Sequence, residues 1–341
     1  MVLNLIHFAL ACVLAYTIFY AVHYRDKNDE ETDLNNSTET TSEEIYHADM
    51  SHVIPEEQLM HRVLDKRFVI GEIITVGRVA TIRKGVDVTT GSNVVIKLAH
   101  PDVSGEIAHF LENEYHSYLL LRTEDTADVD VGIPHVFHFG AYGGYTFLVM
   151  EMLGSTLHDL KEWTGKNKLF KKTIAKIAMQ AIDTFDYIHS KGVMIQDIDA
   201  KNMAIGNSME TMNKIYVFDF ASSIPIPQEH MVKSDLIGFG LVLLDLNGVE
   251  FPTMTSSSTG QIITNTDEIV EQLMQEWNEN YVKELYMQSD IPEIFKEYFD
   301  YLTSLKTDEH VDYKVLKVTF MAALTPADLK KESLGILDAM L

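Results

Sequence analysis

The stretch from Tyr187 to Phe220 constrains the fold of this chain more than any other. Its pattern predicts a helix that ends near Ser190, followed by a tight loop that carries Asp197 and Asn202. Two short apolar segments then lead to a second acid, Asp219. These three polar side chains are the candidates for chemistry in this stretch.

The spacing of these residues matches phosphate-transfer chemistry. An Asp followed five positions later by an Asn, and an Asp-Phe pair after the next strand, fit the D-x-x-x-x-N and D-F-G motifs of protein kinases. In that chemistry the first Asp accepts a proton from the attacking hydroxyl, while the Asn and the second Asp hold Mg²⁺ against the nucleotide phosphates. Each element alone is a weak signal, because Asp and Asn are common loop residues. Their order and spacing carry the prediction.

The net charge limits the classes of molecule that the chain could bind. The 341 residues carry a formal net charge of −24, which disfavours nucleic acid and anionic membrane surfaces because both would repel the chain. We therefore expect no nucleic-acid partner. The one cysteine, Cys12, excludes an internal disulfide framework and any multi-cysteine metal site.

The N-terminal residues 1–24 predict a transmembrane anchor. The run from Val2 to Val22 is interrupted only by three polar residues, and as a helix it would span a bilayer core. A cleaved signal peptide is the alternative, although no basic residue precedes the run. Arg25 and Lys27 follow it directly, so the positive-inside rule predicts a single-pass membrane protein whose remainder lies in the cytosol.

Residues 25–66 predict an acidic, disordered linker. Between Arg25 and Glu57 there are 2 basic and 11 acidic residues, so 2 − 11 gives −9 of the total charge. Such a composition cannot bury enough apolar surface to fold alone. The remaining −15, from −24 + 9, belongs to the folded part.

From Phe68 onward the pattern predicts an α+β fold, with a small antiparallel β-rich part followed by a larger helical part. Short alternating segments separated by glycines indicate strands. The predicted strands are FVIGEIITVG, ATIRKGVDV, VVIKLA, HVFHFGAY and YTFLVMEML. Apolar residues at helical spacing predict helices near Ile107–Leu121, Thr173–His189, Asp235–Leu246 and Ile294–Leu302.

Several segments together resemble the casein kinase 1 superfamily. They are LVMEMLGSTLHDL, YIHSKGVMIQD, NMAIG, IYVFDF, SDLIGFGLVLL, VGIP and DEHVDYKVL, and NMAIG is similar to the tau-tubulin kinase branch. The resemblance covers approximately residues 67–325. It implies a bilobal protein kinase fold with an N-lobe at 67–150, a C-lobe at 151–325, a C-terminal tail at 326–341 and ATP between the lobes.

The resemblance also implies a role for each matching residue. Lys97 would contact the α- and β-phosphates, Glu114 would pair with Lys97, and Asp197 would be the catalytic base. Asn202 and Asp219 would bind Mg²⁺. The nucleotide pocket would be formed by Ile74, Gly77, Ile82, Val95, Lys97, Met150, Glu151, Leu153 and Ala204. Asp235 would be the buried acid that braces the catalytic loop.

The first departures from the family pattern concern the phosphate-covering loop and the catalytic loop. Of the three glycines of G-x-G-x-x-G, aligned with residues 75–80, only Gly77 is present, although Arg78 could add positive charge. Gln196 replaces the Arg that pairs with a phosphorylated activation loop. Asp199 replaces the Lys that neutralises the γ-phosphate. At about 4 Å and an effective dielectric near 20, each such charge interaction is worth ~4 kcal/mol.

Further departures follow Asp219. Ala221 replaces the glycine of D-F-G, and only SSIPIPQEHMVKS separates Ala221 from Asp235. An active kinase needs a longer activation segment to hold its peptide substrate, and Pro227-Gln228-Glu229 is a poor substitute for A-P-E. The sequence thus predicts a truncated activation segment.

Three functional hypotheses remain open. The first is a kinase-like domain that binds Mg-ATP but transfers phosphate poorly, acting as a pseudokinase scaffold or regulator. The second is an active serine/threonine kinase with an unconventional substrate mode. The third is an interaction module with an empty pocket. Each requires a protein partner or substrate that the sequence does not identify.

Overall fold

The computed structural model describes ten ranges of the chain. They are 53–77, 79–101, 106–122, 131–226, 232–251, 254–255, 262–263, 285–286, 291–306 and 309–330. Within these residues a β-rich part precedes a larger helical part. The α+β order predicted from the sequence is confirmed.

The β-rich part is a six-stranded antiparallel sheet. Its strands are β1 (Val63–Leu64), β2 (Phe68–Val76), β3 (Ala80–Asp87), β4 (Asn93–Ala99), β5 (Val136–Tyr142) and β6 (Tyr145–Glu151). Their spatial order is β1-β2-β3-β4-β6-β5. In β4, Lys97 pairs with Ile82 of β3 on one side and Leu148 of β6 on the other. Lys97 is thus fixed in the middle of the sheet.

One face of the sheet is covered by helix α1 (Glu106–Leu121). Its buried Leu111, Tyr118 and Leu121 join Leu148 and Met150 of β6 in the main hydrophobic core. Because side chains three or four residues apart lie on one helical face, Glu114 shares the inward face with Tyr118. The packing of α1 therefore turns Glu114 towards β4.

The opposite face is covered by residues that precede β2. Leu59 and Leu64 are fully buried there, in a second apolar cluster with Phe68 and Phe147. The prediction assigned residues 25–66 to a solvated linker, but residues 53–66 pack on the sheet and include β1. The linker boundary is corrected accordingly, because burial against the sheet outweighs the polar local composition.

The larger part is helical. Its helices are α2 (Leu157–Trp163), α3 (Lys171–Ser190), α4 (Val232–Leu246), α5 (Glu293–Ser304), α6 (Tyr313–Met321) and the short α7 (Pro326–Leu329). The predicted apolar stripe of α3 is buried, and α4 is buried along almost its whole length. Both helices join the core that underlies the sheet and α1.

Short strand pairs bring the chemistry-bearing loops to the junction of the two parts. Strand β7 (Val193–Met194) pairs with β10 (Ile224–Pro225), and β8 (Met203–Ile205) pairs with β9 (Ile215–Val217). The loop with Asp197 connects β7 to β8, and Asp219 lies between β9 and β10. A further pair, β11 (Met254–Thr255) with β12 (Ile262–Ile263), lies outside this region of the chain.

The predicted membrane localisation is corrected by the structure. Among the residues that the structure describes, no helix is long and apolar enough to cross a bilayer. The segment 1–24, to which the prediction assigned the anchor, lies outside the described residues, as does most of the predicted linker.

Candidate active site at the junction of sheet and helices

Lys97 is the centre of a buried ion-pair cluster. Its Nζ lies 2.6 Å from Oε2 of Glu114 and 2.8 Å from Oδ1 of Asp219. Glu114 is buried, whereas the side chain of Asp219 keeps 32% of its surface exposed. The cluster therefore has a closed side at Glu114 and a solvent-accessible side at Asp219.

The pKa values in this cluster follow from burial and opposite charge. Burial disfavours the cation of Lys97, but the charges of Glu114 and Asp219 outweigh it and raise the Lys97 pKa above its ordinary value. Burial raises the pKa of Glu114 to about 7, against the attraction of Lys97. Lys97 thus remains a fixed cation at physiological pH.

Tyr118 connects α1 to the backbone of Asp219. The backbone N–H of Asp219 donates to the Tyr118 hydroxyl at 3.3 Å, and the Phe220 ring packs edge-on against Tyr118 with centroids 5.0 Å apart. Both aromatic side chains are fully buried. The position of α1 and the position of Asp219 are consequently coupled.

Two residues of the site adopt the left-handed backbone region. Asp219 has φ 66° and Gln196 has φ 68°, values that are uncommon for residues other than glycine. Such conformations persist where the surrounding structure holds them, and they concentrate at active sites. At Gln196 the restraint is visible in the contacts of Asp235.

The buried Asp235 of α4 holds the start of the loop that carries Asp197. Its carboxylate accepts hydrogen bonds from the backbone N–H groups of Ile195 at 2.7 Å and Gln196 at 2.9 Å. Nε2 of His189 lies 2.9 Å from the same carboxylate, and Nδ1 of His189 lies 2.5 Å from the hydroxyl of Tyr313. Sequence reasoning did not find His189 or Tyr313, because their contacts join α3, α4 and α6.

Asp197 and Asn202 lie together on the exposed side of this loop. Nδ2 of Asn202 lies 3.2 Å from the carboxylate of Asp197 and 3.2 Å from its backbone carbonyl. The backbone N–H of Phe218 donates to the carbonyl of Asn202 at 3.0 Å. That bond places Asn202 beside the strand end that leads into Asp219.

Asp199 has a local structural role that the sequence did not reveal. Its carboxylate accepts the backbone N–H of Lys201 at 2.8 Å and caps a 3-10 turn over Ala200–Asn202. Short polar side chains commonly cap helices and turns in this way. The turn fixes the backbone orientation at Asn202, its last residue.

The predicted adenine-pocket residues lie on strands β2, β3, β4, β6 and β8 and on the segment that follows β6. Met150 and Ala204 are buried, Ile82, Val95, Glu151 and Leu153 are partly exposed, and Ile74 is exposed. The segment after β6 is tied to β8, since Thr156 bridges to Ala204 and the Gly154 N–H donates to the carbonyl of Ile205 at 2.8 Å. These contacts place Ala204 next to the connection between the two parts.

The β2–β3 connection forms a tight turn at Gly77. The Gly77 N–H donates to the carbonyl of Ala80 at 2.9 Å, and a Cβ added at Gly77 would meet that oxygen at 3.1 Å. Arg78, to which the sequence assigned a compensating charge, lies outside the described residues.

The segment after Asp219 packs between β7 and α1. Ile224 pairs with Met194, and Nδ2 of Asn113 donates to the carbonyls of Ala221 and Ser223. Helix α4 begins at Val232, and the predicted A-P-E substitute lies at 227–229, outside the described residues. Asn113 was missed because its partners lie more than a hundred residues away in the sequence.

Comparison with known proteins identifies relatives of one kind. Casein kinase I homolog 2 of Schizosaccharomyces pombe is 27% identical over 289 residues, which are 76% of this chain and 62% of the relative. Casein kinase I homolog 1 of the same yeast is 31% identical over 176 residues, 50% of this chain and 37% of the relative. These similarities support a casein kinase 1-like kinase domain in the chain.

A third relative agrees with this assignment. Casein kinase I homolog 2 of Saccharomyces cerevisiae is 28% identical over 159 residues, 46% of this chain and 27% of the relative. The matches thus span between about a quarter and three fifths of the length of these relatives. No protein-family model matches the chain. With the β-rich and helical parts described above, the kinase similarity fits a bilobal kinase fold.

Proposed function

We propose that this casein kinase 1-like domain binds Mg-ATP and transfers phosphate poorly or not at all, serving as a scaffold or regulator of a protein partner. ATP and divalent-metal use is general among kinases. The observation that carries the proposal is the position of Lys97 between Glu114 and Asp219. Within the family, the motif NMAIG favours the tau-tubulin kinase branch.

The residues present fit a metal-bound nucleotide. Lys97 offers a fixed cation for phosphate oxygens, and the part-exposed Asp219 together with Asn202 offers the oxygen ligands that Mg²⁺ prefers. When bound, Mg²⁺ would neutralise charge on the phosphates. Ile82, Val95, Met150 and Ala204 would pack on the base, Ile74 and Gly77 would cover the nucleotide, and the backbone of Glu151 and Leu153 would contact adenine.

Two features support impaired transfer. Residues 221–231 are all that separate Phe220 from α4, and the described part of this stretch packs on β7 and α1. Such a segment provides little surface on which a protein hydroxyl could be held beside Asp197, and positioning is a large part of catalysis by this fold. In addition, Asp199 places a carboxylate where a kinase uses a cation, which disfavours the charge that develops on the phosphate.

An active serine/threonine kinase with an unconventional substrate mode is the second candidate. It is favoured by the retained pair of Asp197 and Asn202, which lie within hydrogen-bond distance of each other. Here Asp197 would accept the proton of the attacking hydroxyl. An interaction module that binds no nucleotide is the third candidate, and it requires that the Lys97 cluster serve packing alone.

A thermal-shift assay separates nucleotide binding from an empty pocket. A ligand at one hundred times its Kd that binds only the folded state adds about 2.7 kcal/mol, or roughly 5–10 °C in Tm for a domain of this size. We expect such a rise with Mg-ATP in the full chain, and its loss in Asp219→Asn. The control Asp300→Asn changes an exposed acid in the same way and should retain the shift. An unshifted wild type would refute Mg-ATP binding.

Phosphate transfer to a generic acidic protein substrate separates the first two candidates. The scaffold proposal predicts that incorporation by the wild type is at or only slightly above that of Asp197→Ala. Incorporation many times this background that disappears in both Asp197→Ala and Asp219→Ala would establish the active kinase instead.

A further inference from the structure

The segment Ala221–Ile226 is held on both sides by hydrogen bonds. On one side, Nδ2 of Asn113 donates to the carbonyl of Ala221 at 2.9 Å and to that of Ser223 at 3.0 Å. On the other side, Ile224 pairs with Met194 of β7, and the Ile226 N–H donates to the carbonyl of Gly192 at 2.9 Å. The segment therefore joins α1 to the strand that leads into the catalytic loop.

A second contact between the segment and α1 is buried. The hydroxyls of Ser117 and Ser223 lie 2.7 Å apart, and both residues are almost completely inaccessible. The Ser223 hydroxyl is also 2.7 Å from the carbonyl of Phe220. The cavity at this contact has a volume of about 10 Å³, at the lower limit for a single water molecule. The interface is thus closely packed.

The positions of these residues on α1 connect the contact to the active site. Asn113 immediately precedes Glu114 in the sequence, and Ser117 lies three residues after Glu114. Asn113 and Ser117 therefore flank the residue whose carboxylate reaches Lys97. Tyr118, on the next position, binds the backbone of Asp219. A displacement of α1 would have to break the Asn113 bonds, the Ser117–Ser223 contact and the Lys97–Glu114 ion pair together.

We propose that Asn113, Ser117 and Ser223 form a latch that keeps α1 in the position where Glu114 reaches Lys97, before any nucleotide binds. Asn113 and Ser117 are then positioning residues, because they act through Glu114. In some kinases phosphorylation orders the activation loop, whereas here neutral hydrogen bonds of the latch would order the segment. Gln196, at the position of the phosphate-pairing Arg, carries no charge with which to bind a phosphorylated residue.

The consequence for ligand binding rests on the proposed nucleotide function. The apparent Kd of a ligand equals its intrinsic Kd divided by the fraction of molecules in the competent state. With the latch closed that fraction is near one, and the nucleotide spends none of its binding free energy on moving α1. Breaking the latch lowers the fraction and weakens apparent binding without a change in any residue that touches the nucleotide.

The test combines hydrogen exchange with nucleotide affinity in the full chain. Asn113→Leu removes both donors and keeps the branched shape and the number of heavy atoms of the side chain, and Asn113→Gln keeps the amide on a longer side chain. Ser117→Ala is a milder second variant in case the first fails to fold. Leu119→Ala, at an exposed position of the same helix, is the matched control. Exchange is measured without nucleotide over residues 106–121 and, as reference, over α3.

We expect the backbone amides of α1 to exchange about tenfold faster in Asn113→Leu than in the wild type, while the exchange rates in α3 stay unchanged. The same variant should bind Mg-ATP about tenfold more weakly. Asn113→Gln should recover part of both losses, Ser117→Ala should show the same pattern to a smaller extent, and Leu119→Ala should match the wild type. The proposal is overturned by unchanged α1 exchange in Asn113→Leu, by equal acceleration of α1 and α3, or by a Gln variant as impaired as the Leu variant. If the wild type binds no Mg-ATP but the exchange pattern holds, the nucleotide function fails and the latch stands.

Discussion

Replacing Glu114 by glutamine is expected to remove a pH-dependent part of the folding free energy. Burial raises the pKa of Glu114 from an ordinary value of 4.5 to about 7. Because the folded-state pKa is higher than the unfolded one, the folded chain binds one extra proton between these two pH values. The stability that Glu114 contributes is therefore fully present below pH 4.5 and is lost as the pH rises through about 7.

The magnitude follows from the size of the shift. A difference of about 2.5 pKa units, from 7 − 4.5, corresponds to roughly 3 kcal/mol at 1.36 kcal/mol per unit. About 2 kcal/mol of this change falls between roughly pH 5 and pH 7.5. Lys97, which faces Glu114, stays a cation over this interval, because the charges of Glu114 and Asp219 raise its pKa.

Urea unfolding of the wild type and Glu114→Gln over this interval measures the effect. The free energy of unfolding of the wild type minus that of the variant should fall by about 2 kcal/mol as the pH rises. Glu72→Gln, at an exposed position of β2, should show no such trend against the wild type. A wild-type minus Glu114→Gln difference that is flat with pH would refute the assignment of a buried, proton-binding carboxyl at Glu114.

Three further predictions test other parts of the structure. Lys97→Met removes the cation between Glu114 and Asp219. Because hydrogen bonds to charged groups contribute ~1.5–3 kcal/mol, ATP affinity measured by titration calorimetry should weaken roughly 10–100-fold. An unchanged affinity would contradict a nucleotide site at Lys97. Each carboxylate oxygen of Asp235 accepts one backbone N–H, and Asp235→Asn replaces one of these oxygens by an NH2 donor. Tm in a calorimetric scan should therefore fall by about 5–10 °C, and a fall under about 2 °C would contradict the bracing role. Gly240→Ala places a Cβ 2.7 Å from the rings of α5, and chemical unfolding should show a loss of about 1–3 kcal/mol where an open position would show none.

Most strands and helices of this fold could be predicted because their signals are local. Strands β2 to β6 are short runs rich in β-branched and aromatic residues, and α3 repeats its apolar residues at helical spacing. The prediction of a linker at residues 53–66 failed because the signal there is not local. Leu59 and Leu64 are two apolar residues in a polar stretch, and only the existing face of the sheet buries them.

Some residues of the candidate site could likewise be predicted from local sequence signals, and others could not. Asp197, Asn202 and Asp219 are close in sequence and follow a recognisable spacing, so they could be nominated from the residues alone. The partners of Asn113 could not be foreseen, because their proximity requires the chain to return to α1 after more than a hundred residues. The cap formed by Asp199 is local, and a polar residue before a short turn was the available signal.

The most direct test of the central claim is titration calorimetry of the full chain with ATP, once with Mg²⁺ and once with a chelator. We predict saturable binding that requires Mg²⁺, is lost in Asp219→Asn and is weakened in Lys97→Met. Equal binding with and without Mg²⁺, or no binding in either condition, would contradict a nucleotide site built around Lys97 and Asp219.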